Sequence, residues 1–263
     1  MDYIVAIPPF MIGITVFLFG LIIGSFLNVC IYRIPKSISL ITPRSTCPNC
    51  SQPICWYDNI PIVSYMILGG RCRYCGYTIS IRYPAVELIS GILAWGIFVR
   101  YGINWSGLIL YVFSSALLVI TFIDIDYRII PDTITLPGIV IGFLASFKPG
   151  DVSWQESLFG ILFGGGSLLA VALIYKAFTK KDGMGGGDIK LLAMIGSFLG
   201  WRAVAFTIFV SSVLGTAVGG VVAIKTKKGR KTAIPFGPFL SIGAILYIFY
   251  GRELTSWYFG VLR

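Results

Sequence analysis

Eight runs of apolar residues leave this chain few ways to fold. They cover residues 8–31, 84–99, 106–124, 133–148, 156–178, 188–201, 203–224 and 235–251. In lipid such runs can satisfy their backbone polar groups only as helices or a closed barrel, and their length favours helices. Several are short for a hydrocarbon layer of about 30 Å, so some helices are expected to tilt, lie partly at the interface or be shielded by protein. At 56% apolar and 12% charged residues over 263 positions, the chain is too apolar for a soluble domain of its size. The expected fold is an all-α polytopic membrane protein of about eight transmembrane helices, with a small domain between the first two.

The net charge of +10 would suit nucleic acid, but its distribution argues for a bilayer instead. With the amino terminus outside, loops 32–83, 125–132, 179–187 and 225–234 all fall inside. They carry Arg33, Lys36, Arg44, Arg71, Arg73, Arg82, Arg128, Lys180, Lys181 and the basic cluster from Lys225 to Lys231. The outside receives Arg100, Lys148, Arg202, Arg252 and Arg263. This asymmetry predicts both termini outside, a lipid bilayer as partner and no nucleic acid. No basic residue precedes the first run, whose one upstream charge is Asp2, and it lacks a small-residue cleavage site, which reads as a retained helix. The pairs Gly20/Gly24, Gly160/Gly164, Gly196/Gly200 and Gly215/Gly219 read as close helix packing.

Histidine is absent, which removes Ser-His-Asp triads, Cys-His dyads and HExxH zinc proteases. A hydrolase built on this chain must use carboxylates, a lysine or a serine–lysine pair. Two aspartates stand out. Asp124 ends the apolar run Leu117 to Ile123, and Asp188 closes Gly183-Met184-Gly185-Gly186-Gly187-Asp188. Acids beside membrane segments are costly and mark function. The charge asymmetry places both at cytoplasmic helix ends. The glycines make helix hard to hold and leave the Gly185, Gly186 and Gly187 amides open to pair with an extended substrate. Two acids able to meet there suggest an aspartyl protease acting on a transmembrane peptide, one carboxylate as base and one as acid.

Other readings compete. Asp188 could cap the helix starting at Ile189, Asp132 could cap the next helix after Pro131, and Asp124 could pair with Arg128. Asp124-Ile125-Asp126 could form the DxD metal clamp of a membrane glycosyl or diphosphate transferase. A continuous helix would separate those two side chains by about 200° and prevent it. A non-enzymatic transporter or scaffold would use the acids for ion conduction or packing.

All six cysteines fall between Cys30 and Cys75. Cys47-Pro-Asn-Cys50 and Cys72-Arg-Tyr-Cys75 are two CxxC knuckles, a spacing suited to a closed S4 zinc site of structural type. The alternative, two disulfides, conflicts with a cytoplasmic loop. Cys30 and Cys55 read as buried small residues or spare thiols, not ligands.

Taken together, the motifs resemble the bacterial type IV prepilin peptidases, which are similar to presenilin and the archaeal preflagellin peptidases in their GxGD chemistry. The resemblance runs through Gly24-Ser25-Phe26-Leu27-Asn28-Val29 with Tyr32-Arg33, both cysteine pairs, and Arg82-Tyr83-Pro84-Ala85-Val86-Glu87-Leu88. It continues through Asp124-Ile125-Asp126-Tyr127, Ile130-Pro131-Asp132 and the glycine stretch to Leu191. It implies a bifunctional enzyme of the bacterial inner membrane. Such an enzyme cuts the basic leader from prepilins or secretion-system pseudopilins at the cytoplasmic face, with Asp124 and Asp188 catalytic. It also methylates the new amino terminus from S-adenosylmethionine. The division implied is 1–31 first transmembrane helix, 32–83 zinc-binding, methyltransferase-associated domain, and 84–263 helical membrane domain with the peptidase site. No motif marks a methyl-donor site; Asn28, Glu87 and the zinc module are the candidates to contribute.

Overall fold

The computed structural model of the protein describes residues 9–148, 152–180, 185–226 and 235–261. Among them the regular structure is helical, with two isolated β-bridges and no strand. The helices are α1 (Pro9–Arg33), α2 (Val63–Ile67), α3 (Arg82–Tyr101), α4 (Trp105–Tyr127), α5 (Asp132–Ala145), α6 (Trp154–Thr179), α7 (Gly186–Thr226) and α8 (Gly237–Val261). Five of these, α1, α3, α4, α6 and α7, are long and apolar enough to cross a membrane. Helix α5 and the Gly237–Gly251 part of α8 are apolar but shorter.

Helix α7 corresponds to two of the apolar runs. Gly200 interrupts it with φ 79° and ψ 174°, a conformation essentially confined to glycine. Its place in a GxxxG pair suggested packing, and its actual task is to break the helix. With that break, every apolar run has its helix.

The chain forms two compact units, residues 1–119 and 120–263, and passes from one to the other within α4. In the first, α1 packs against α3, where the Ser90 hydroxyl donates to the Gly20 carbonyl at 2.8 Å. The loop after α1 is held by buried Arg33, whose guanidinium donates to the carbonyls of Ser39 (2.8 Å) and Pro43 (2.6 Å).

In the second unit, α7 packs against α5, α6 and α8. Helix α6 starts at a full capping box, Ser153 with Glu156, and Glu156 also accepts from Arg202 at 3.0 Å. Gly160 of α6 and Gly196 of α7 face each other so closely that a Cβ on either would collide with the other's backbone. Small residues let membrane helices approach in this way. Gly196→Val is expected to cost about 1–3 kcal/mol, read as a lower unfolding midpoint of the purified protein. Gly166→Ala, whose Cβ meets nothing within 4 Å, should leave the midpoint unchanged.

Candidate active site

Helix α4 ends where Arg128 turns left-handed, φ 56°, with its N–H bonded to the Asp124 carbonyl at 2.9 Å. This puts Asp124 in the last turn with its side chain buried at 5% exposure, whereas Asp126 on the same helix is exposed. The two carboxylates diverge as side chains two apart on a helix must. They do not form a metal clamp, and the DxD transferase reading falls with it.

Asp124 Oδ2 accepts a hydrogen bond from the Gly237 N–H at 2.9 Å. Gly237 opens α8, so its amide is one of the donors a helix start leaves without an intrahelical acceptor. A Cβ on Gly237 would lie 2.7 Å from the same oxygen.

Asp188 is the third residue of α7, half-buried and within electrostatic reach of Asp124. Ile130 connects the two positions. A Cβ on Gly187 would come within 2.8 Å of Ile130, and one on Gly237 within 3.3 Å. The Ile130 side chain therefore lies against the glycine preceding one acid and the glycine bonded to the other.

Three local expectations change. Helix forms at Gly186 and Gly187 despite their flexibility, because first-turn N–H groups need no intrahelical partner. Asp188 accordingly lies inside the first turn instead of capping it, and an extended platform is limited to residues before Gly186. Gly183 and Met184 lie outside the described residues. Pro131 occupies the cap position of α5, while the Asp132 carboxylate pairs with Lys190 at 2.7 Å. Among the described residues the Asp124 carboxylate bonds to the Gly237 amide and not to Arg128. Gly237 is absent from the sequence reading, and Ile130 enters it only as part of the Ile130-Pro131-Asp132 motif, with no role at the site. The one available signal was Pro235-Phe236-Gly237-Pro238, a helix start with proline just inside it.

In the first unit, Cys47, Cys50, Cys72 and Cys75 gather with all four sulfurs within 4.8 Å of one another. Sulfurs of Cys47 and Cys75 lie 3.8 Å apart, and those of Cys50 and Cys72 4.0 Å. A tetrahedral ion with bonds of about 2.3 Å needs edges of about 3.8 Å, so the cluster can hold a metal ion. All six cysteines are free thiols.

The two knuckles repeat one backbone pattern. Cys47 N–H donates to Gln52 O and Ser51 N–H to Cys47 O, each at 2.9 Å. Cys72 N–H donates to Tyr77 O at 2.8 Å and Gly76 N–H to Cys72 O at 2.9 Å. Amide donors also reach the sulfurs. The Cys50 and Asn49 amides hold the Cys47 thiol below its usual range. The Tyr77 amide and the Asn49 side chain bring Cys75 down to about 6. The Gln52 amide draws on Cys50 in the same sense, but burial and the neighbouring thiols outweigh it and push that group up to about 11. A cation would relieve this mutual repulsion. Arg73, inside the second knuckle, donates from Nε to Asp58 Oδ2 at 2.9 Å and from Nη2 to Oδ1 at 2.5 Å, holding that carboxyl below its usual range. Cys30 and Cys55 stand outside the cluster; Cys55 Sγ lies 3.5 Å from the Tyr74 hydroxyl.

Fold and site define a multi-pass membrane protein with paired aspartates in one unit and a four-cysteine cluster in the other. Comparison with known proteins gives its family. Residues 18–101 match the bacterial peptidase A24 N-terminal domain, and residues 111–220 match the type IV leader peptidase family. Proteins named prepilin leader peptidase/N-methyltransferase are similar over nearly the whole length. The one from Pseudomonas aeruginosa is 36% identical over 98% of this chain and 97% of the relative. That from Aeromonas hydrophila is 36% identical over 95% and 94%, and that from Neisseria gonorrhoeae 38% over 90% and 89%. No solved structure matches the chain. The chain belongs to the type IV leader peptidase family, in the form that carries the N-terminal domain as well.

Proposed function

We propose that this protein cleaves the basic leader from prepilin-like membrane proteins with Asp124 and Asp188, and then N-methylates the new amino terminus. The approach of the two acids within one unit, with the Gly237 amide bonded to one of them, is the observation that supports the first activity. Relatives of nearly equal length named for both activities support the second.

Two carboxyl groups that interact through their charges in a desolvated site can share one proton. The ionised member takes a proton from water, which attacks the scissile carbonyl. The neutral member donates to the carbonyl oxygen, and the protonated partner then serves the leaving amine. A helical peptide hides its scissile bond, so the substrate enters this site unwound. Open first-turn amides of α7, at Gly186 and Gly187 after Gly185, are available to hold it.

The charge pattern supports a site at the cytoplasmic face of the inner membrane with both chain termini outside. A basic leader stays on that face while the substrate's apolar segment enters the bilayer. Cleavage then falls immediately before that segment. S-adenosylmethionine supplies the methyl group. Zinc held by Cys47, Cys50, Cys72 and Cys75 folds the loop; four sulfurs leave no open position for catalysis. A transporter reading is less favoured, because the outer halves of the apolar runs carry almost no ionisable residue.

Co-expression with a prepilin, followed by intact-mass analysis, reports cleavage and methylation together. Asp124→Asn or Asp188→Asn should lower cleavage on the order of 10³-fold or more without loss of folded protein. Asp126→Asn and Asp132→Asn should retain most of it. Full cleavage by Asp188→Asn would refute the assignment.

Gly237→Ala should also act on Asp124, since its methyl would press on the carboxylate that the amide now holds. Displacing a reacting group by about 1 Å can cost about 10²-fold, and a loss of that order in cleavage rate is expected.

Metal analysis should find one zinc per chain, lost on Cys→Ser change at Cys47, Cys50, Cys72 or Cys75 and kept on change at Cys30 or Cys55. Zinc-free active protein would overturn the metal assignment.

A further inference from the structure

A second polar cluster lies between α1 and α3. Glu87 is 8% exposed and Asn28 is 4% exposed, deep burial for such groups in an apolar bundle. Asn28 Nδ2 donates to Tyr83 O at 3.0 Å and to Gly24 O at 3.3 Å, yet its Oδ1 is buried without a partner. A lone acceptor of this kind is destabilising unless something donates to it.

Tyr83 and Glu87 are one turn apart on α3, so Asn28 sits on the face that carries the carboxylate. Gly24 lies so close that a Cβ there would come within 2.6 Å of Glu87 Cα. Glu87 Oε2 accepts from the Ile62 N–H at 2.8 Å, and the Ser25 hydroxyl also bonds to the carboxyl group. Neither partner carries a positive charge.

The loop over this cluster is strained. Ile62 has φ 62° and ψ −48°, and Val63 N–H donates to Pro61 O at 2.6 Å. This is the rarer γ-turn, here at a β-branched residue. Such turns persist where surrounding structure enforces them and gather at functional sites. Here the enforced turn aims an amide at a buried carboxylate beside an unused acceptor.

The vacant chemistry is therefore a site for a small cationic group with N–H bonds to give. We propose that Asn28 and Glu87 receive the substrate's newly freed amino terminus for methyl transfer, an inference that rests on the N-methyltransferase activity proposed above. Asn28 Oδ1 accepts an N–H of the amine. The α-ammonium passes one proton to Glu87, and its nitrogen lone pair forms the new N–C bond to the donor's methyl group. The C–S bond of the sulfonium breaks with its electrons going to sulfur, leaving a neutral thioether and a secondary ammonium.

The test uses the full-length enzyme in lipid vesicles with a prepilin and S-adenosylmethionine, and follows leader loss and methyl addition separately by intact mass. Glu87→Gln retains an acceptor for Ile62 N–H but not the base. Its methylation rate should fall on the order of 10²-fold while leader cleavage continues at the wild-type rate. The defect should shrink as pH rises past the ordinary α-amino pKa of about 7.7–8.0, because the amine then loses its proton to water. Asn28→Leu should raise the KM for pre-cleaved substrate about tenfold with the KM for donor unchanged. Parallel loss of cleavage and methylation in both variants would mark the cluster as structural and overturn the proposal. So would a defect independent of pH, or weakened binding of radiolabelled donor by Glu87→Gln. A wild-type enzyme that cuts and never methylates would instead refute the methyltransferase reading, and this inference with it.

Discussion

The bond from Gly237 N–H to Asp124 resolves two unfavourable demands at once. A carboxylate following the buried residues Leu117, Ile120 and Ile123 has lost most of its water, and an unpaired polar group there costs several kcal/mol. The first amide of α8 equally needs an acceptor it cannot find within its own helix. Joining them ties positions 113 residues apart in sequence. Because α8 packs on α7, and α7 begins two residues before Asp188, the same tie constrains the second acid. Glycine is required at 237 for a geometric reason: the carboxylate occupies the space a side chain would need.

Much of this was legible in the sequence. The apolar runs map onto helices because a lipid-exposed backbone permits little else, and even the division of the sixth run from the seventh survives as the Gly200 break within α7. The cysteine spacing gave the cluster directly, since CxxC turns are local and two of them meet at one point. Asp124 and Asp188 stood out because acids are rare beside such segments. What remained hidden depends on long-range approach. Gly237 is one of 31 glycines, and nothing local distinguishes it from a helix starter. Ile130 looks like any loop apolar residue. The vacant Asn28 oxygen exists only once α1 and α3 pack. Helix at Gly186 and Gly187 is not legible locally because glycine's penalty belongs to a helix interior and these two stand in a first turn, where amides lack helical partners in any case.

The loop between α1 and α3 shows why a small module relies on its ligands. Of its described residues only Cys47, Ser64 and Gly70 are buried, so apolar burial contributes little to its order. Its order comes instead from polar constraints: two repeated knuckles, the Arg73 fork on Asp58 and the Arg33 guanidinium on two loop carbonyls. A metal on four sulfurs would supply the missing free energy. The same loop carries the strained Ile62 turn onto Glu87, which gives its order a consequence beyond its own folding.

Proteolysis and amine methylation ask different things of a carboxyl group, and the roles proposed for these acids fit the environments they occupy. An aspartate dyad works only if two groups are near enough to share a proton, and both occupy helix ends where the chain turns and glycines admit close approach. A partner for an ammonium group should not already be neutralised by a cation. Glu87 meets that condition one turn inside α3, where its bonds among the described residues go to the Ile62 amide and the Ser25 hydroxyl. Exchanging the environments would disable both proposed reactions: a solitary aspartate has no acid to accompany its base, and a Glu87 paired with arginine would have no affinity to spare for an amine. Position along the helix, set by where the apolar runs end, thus separates the two proposed acid chemistries within one membrane chain.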